Sequence, residues 1–63
     1  MEEDRQEIQA WLTELENIRI LLEEARVHAR KMDSPEGYRI EGQIRPTLRE
    51  VNIQIHDLRA SLP

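Results

Sequence analysis

The stretch Asp33-Ser34-Pro35-Glu36-Gly37, "DSPEG", interrupts a chain that otherwise reads as helix from end to end. Ser34 is a strong N-cap residue, Pro35 suits the first position of a new helix, and Glu36 belongs in its first turn. Proline also disfavours α conformation in the residue before it, so the preceding helix must end ahead of Ser34. One helix therefore stops and another starts within about two residues. So short a connection folds the chain back as an antiparallel hairpin.

On the N-terminal side, residues 3–32 hold neither proline nor glycine. Ile8, Trp11, Leu15, Ile18, Leu22, Ala25, Ala29 and Met32 recur at alternating steps of three and four. That is the a/d seam of a coiled coil. Acidic residues cluster at the beginning and basic residues at the end, which complements the helix dipole. The spacing predicts a first helix over 3–32, a turn at 33–34 and a second helix over 35–61. The second seam is Ile40, Ile44, Leu48, Val51, Ile55, Leu58 and Leu62. Matching the seams pairs Ala29 with Ile40, Leu22 with Leu48 and Trp11 with Leu58. The paired numbers keep a nearly constant sum, as a single fixed turn requires. The fold class expected is all-α: one domain, a two-helix hairpin.

Pro46 lies well inside the second helix, where it deletes one backbone hydrogen bond and crowds the preceding turn. A kink is expected there, with Gly42 easing the crowding. A break into three short helices is the alternative.

The chain has 63 residues, a net charge of −4 and no cysteine. A domain this small buries a modest core, and neither disulfides nor thiolate metal sites can staple it. The acidic start "MEEDRQE" does not resemble a signal peptide, and no apolar run is long enough for membrane insertion. A soluble, cytoplasmic protein is expected.

Catalytic signatures are missing. His28 and His56 fall on different helices, several turns apart in the hairpin register, so a shared metal is not expected. Phosphate-binding loops and nucleophile elbows are absent. "GQIRPTL" loosely resembles the phospho-acceptor box of histidine-kinase hairpins, but Gln43 stands where that box needs histidine. The chain is read as no enzyme, with no cofactor implied. Charge is polarised: residues 1–24 hold eight acids and two arginines, and residues 25–49 hold six bases and three acids. The bases are mixed with acids, lack interleaved aromatics and sit on an acidic chain, so nucleic acid is not an expected partner.

What remains is surface. Leu12, Ile20 and Val27 fall outside the first seam. Arg39, Pro46, Ile53 and Ala60 form a strip opposite the second. A hairpin with so thin a core and these apolar flanks suggests a partner-binding surface.

The run "SPEGYRIEGQIRPTLREVNIQIHDL", residues 34–58, resembles the helical-hairpin co-chaperones of the type III secretion needle protein (the YscE/PscE/EscE type). Tyr38 matches that family's aromatic residue after the turn, and Leu48 a leucine ten residues later. Val51, Ile53 and Ile55 match its alternating apolar run. Pro46 and Trp11 have no counterpart in that pattern. The resemblance implies a clamp subunit. Together with a tetratricopeptide-like chaperone, it would keep the needle subunit soluble and unassembled before export. Leu12, Ile20, Val27, Tyr38 and Ile53 are the partner-binding candidates; of these, only Tyr38 is matched through the family. The alternative is a homodimer, two hairpins forming a four-helix bundle with a regulatory or scaffold role. The same face would serve self-association when the partner is lacking.

Overall fold

A computed structural model describes residues 2–62 and shows two helices, α1 (Glu2–Lys31) and α2 (Pro35–Ser61), folded against each other as a hairpin. The molecule is a rod of 50 × 14 × 11 Å. The turn forms where the sequence placed it. Ser34 is extended at φ −147° and ψ 160°, and its Oγ accepts a hydrogen bond from the Gly37 backbone N–H at 3.1 Å. Pro35 begins α2, where its missing N–H leaves nothing unsatisfied. Upstream, Met32 N–H donates to Ala29 O and Asp33 N–H to Arg30 O, a tightened last turn. Asp33 then takes the left-handed conformation, φ 45°, that ends the helix and reverses the chain. Its carboxylate accepts from the Tyr38 hydroxyl at 2.5 Å, closing the turn from the far side.

The helices pack tightly beside this turn. Gly37 is buried, and a methyl group on it would overlap the carbonyl oxygen of Ala29 and lie 2.8 Å from Met32 Cβ. Only a residue without a side chain lets α2 pass that close to the end of α1.

The α2 seam is largely the expected one: Ile44, Leu48, Val51, Ile55, Leu58 and Leu62 are buried or half-buried. The α1 seam is not. Leu12, Val51 and Ile55 form the centre of the core, with Ile8, Leu15, Leu22, Leu58 and Leu62 packed around them. Ile8, Leu15, Leu22 and Ala29 keep their inward places, but the alternate positions are Leu12, Arg19 and Arg26 rather than Trp11, Ile18 and Ala25. Trp11 is 53% exposed and Ile18 43%. Ala25 and Met32 also face outward, as does Ile40, whose inward place is taken by Gly37 and Glu41.

Leu12 was expected on the partner-binding surface; at 6% exposure it is instead a core residue. The helix also continues unbroken through Pro46, so the three-helix alternative does not occur. Gly42 does not serve Pro46, because a Cβ there would have open space. The proline ring crowds the carbonyl four residues back, which a side chain at that position does not affect.

Candidate functional site

The rotation of α1 gives the hairpin two unlike sides. One is apolar with an acidic rim. Trp11, Leu15 and Ile18 from α1 and Leu58 from α2 line an open groove of about 450 Å³, with Glu14, Gln54 and Asp57 at its edge. Glu7 lies one turn before Trp11, and Glu50 one turn before Gln54, from which it accepts a hydrogen bond at 2.9 Å. Farther along, Ala25 of α1 and Met32, just past its end, continue the seven-residue step set by Trp11 and Ile18, and both are exposed.

The opposite side is basic. Arg26, Arg45 and Arg49, with Glu23, Asn52 and His56, line an open groove of about 730 Å³ together with Leu48 and Ile53. Nearer the turn, the carboxylate of Glu41 accepts from the Nε of both Arg26 (3.2 Å) and Arg30. At the open end, Arg59 Nη2 pairs with Glu16 at 2.6 Å.

Glu41 is the buried polar residue of the interface, its side chain 11% exposed. Donation from Arg30, joined by Arg26, holds its carboxyl below the usual glutamate range of about 4.5, against the burial that pushes the other way. A carboxyl whose pKa is lowered by folding stabilises the fold above its unfolded pKa. That contribution disappears as pH falls through the folded value. The melting temperature of the native protein is therefore expected to fall between neutral pH and about pH 3 by more than that of Glu41→Gln, which has no such proton to bind. Equal falls in both proteins would contradict the role given to this carboxylate. Tyr38 is shifted the other way: donation to Asp33 holds its phenol above the ordinary range.

Four of the sequence candidates lie at the surface. Ile20 and Val27, 51% and 52% exposed, share one outward stripe of α1 and line neither groove. Tyr38 is half exposed, with its hydroxyl committed to the turn. Ile53 stands on the outer strip of α2 with Arg39, Pro46 and Ala60, all exposed, and forms part of the basic groove. The four are thus not gathered into one patch. Trp11 and Ile18, which sequence reading assigned to the core, are the large apolar residues that do share a concave site. Among the described residues, no group of three or more His, Cys, Asp or Glu side chains is placed to hold a metal ion. Among them, too, no helix is long and apolar enough to cross a membrane.

No protein-family model matches the chain, and neither curated proteins nor solved structures yield a match.

Proposed function

We propose that the protein is a non-catalytic binding module, a helical hairpin that covers its apolar flank with another polypeptide. The observation carrying this is the balance of apolar residues. Among the described residues, five are buried (Leu12, Ala29, Leu48, Val51 and Ile55), while nine large ones stay exposed, from Trp11 and Ile18 to Ile53. Single exposed apolar residues are ordinary on any surface, but a concave site that pairs Trp11 with Ile18 is the kind of surface a partner helix fills.

The sequence resemblance supplies the partner. In this reading the hairpin is a cytoplasmic co-chaperone. With a tetratricopeptide-like chaperone, it holds a type III secretion needle subunit soluble and unassembled before export. A helical-repeat groove accepts an amphipathic hairpin through anchors at i, i+4 and i+7. Trp11, Ile18, Ile20, Val27, Tyr38 and Ile53 are the available anchors. A second reading, the homodimeric four-helix bundle, draws on the exposed step of Trp11, Ile18, Ala25 and Met32, a heptad stripe that another hairpin could match.

Co-expression with a tetratricopeptide chaperone and a needle subunit from the same genome tests the proposal. A co-purifying complex that keeps the needle subunit monomeric is the expected result. Ile53→Asp is expected to weaken that complex while leaving the helicity of the free hairpin unchanged. A stable dimer of the chain that ignores both proteins would replace this reading with the homodimer.

A further inference from the structure

We infer that the groove between Trp11 and Leu58 receives one kind of occupant, an amphipathic helix with lysine or arginine flanking its apolar stripe. This rests on the binding-module reading but not on the partner's identity. The groove runs along α1 from Trp11 to Ile18, two helical turns or about 10 Å. That length accepts apolar side chains at i, i+3 or i+4, and i+7 of a docked helix.

Its rim decides the charge of the visitor. Glu14 lines its α1 wall and Asp57 its α2 wall, and Glu7 lies one turn before Trp11. Among the described residues, the carboxylates in ion pairs are those of Glu16 and Glu41, so these three have no cationic partner. No basic residue lines the groove. An acidic helix, or an anionic lipid surface, would meet uncompensated carboxylates on both walls. A second copy seated groove to groove would bring its own Glu14 and Asp57 carboxylates against this acidic rim. A basic-flanked helix would pair its cations with both rims while its apolar stripe covers Trp11 and Ile18.

Trp11 is the only tryptophan of the chain and lines the groove, so it reports occupancy directly. Two tryptophan-free synthetic helices of about five turns, with the same leucine stripe but lysine or glutamate flanks, are titrated into the full chain. The lysine-flanked peptide is expected to shift Trp11 emission to the blue and to bind at least about ten-fold more tightly. Raising the salt from about 0.05 M to about 0.3 M is expected to erase that advantage. The double variant Glu14→Lys/Asp57→Lys, whose sites lie outside the buried seam, is expected to reverse the preference with unchanged helicity. Equal binding of both peptides, or binding of neither, would overturn the inference. So would sedimentation showing the groove already filled by a second copy. Should neither peptide bind while the chaperone complex still forms, the partner docks elsewhere, and the binding-module reading survives without this groove.

Discussion

Ile55→Ala is expected to remove about 3 kcal/mol from the folded hairpin, the largest loss of any single apolar truncation in the chain. Ile55 is the most deeply buried of the large apolar residues, 3% exposed, and packs with Leu12 and Val51 at the centre of the core. Alanine there gives up the transfer energy of the lost carbons and leaves a gap that two helices pinned at a short turn close only in part. A domain of this length has on the order of 3 to 9 kcal/mol of stability in total. The substitution therefore lowers the melting temperature by more than about 10 °C. Far-UV circular dichroism against temperature measures it. Leu21→Ala, at a residue 63% exposed, is the control and is expected to stay within about 0.5 kcal/mol of the native protein. Similar melting of the two variants would show that the seam does not pass through Ile55.

The second large effect is at the turn. Gly37→Ala places a methyl group against the backbone carbonyl of Ala29 and 2.8 Å from Met32 Cβ. A backbone oxygen cannot swing aside as the end of a long side chain can. α2 must draw back from α1 just where Ser34 and Asp33 fix the reversal. The expected cost is about 1 to 3 kcal/mol. The same substitution at Gly42, exposed and mid-helix with open space around it, is expected to stabilise by about 1 kcal/mol, because alanine is the better helix former. Thermal unfolding of the two variants side by side should give opposite signs. If both stabilise, the close approach at Gly37 is wrong.

The turn was legible in the sequence because capping chemistry is local: Ser34, Pro35 and Glu36 each act within one helical turn. The stripe of α2 from Ile44 to Leu62 was legible because it offers one apolar choice at each inward position. On α1 the sequence offers two. Ile8, Leu15, Leu22 and Ala29 belong to either seam, completed by Trp11, Ile18 and Ala25 or by Leu12, Arg19 and Arg26. A search for apolar periodicity takes the first, since two arginines disqualify the second. Arginine stems nevertheless pack along apolar surface while their head groups reach outward. Here the head group of Arg26 also meets Glu41 across the interface. A long-range ion pair between residues 15 apart leaves no signal in a helical period. That one-residue rotation moved Leu12 from expected docking residue to core, and Trp11 and Ile18 from core to groove. Ile20, Val27, Tyr38 and Ile53 were legible as surface residues, because polar neighbours surround them on their own helices. Which of them share a site depends on how the helices face each other, and single-helix periodicity does not encode that.

The solvent access of Trp11 tests the account most directly. The chain is held at a concentration where sedimentation shows a monomer and circular dichroism shows a folded hairpin, and its single tryptophan is then quenched with acrylamide. Emission at long wavelength, quenched nearly as readily as in the unfolded chain, is the predicted result for an indole lining an open groove. Blue-shifted emission protected from acrylamide in the folded monomer would place Trp11 in the seam, return Leu12 to the surface and remove the groove.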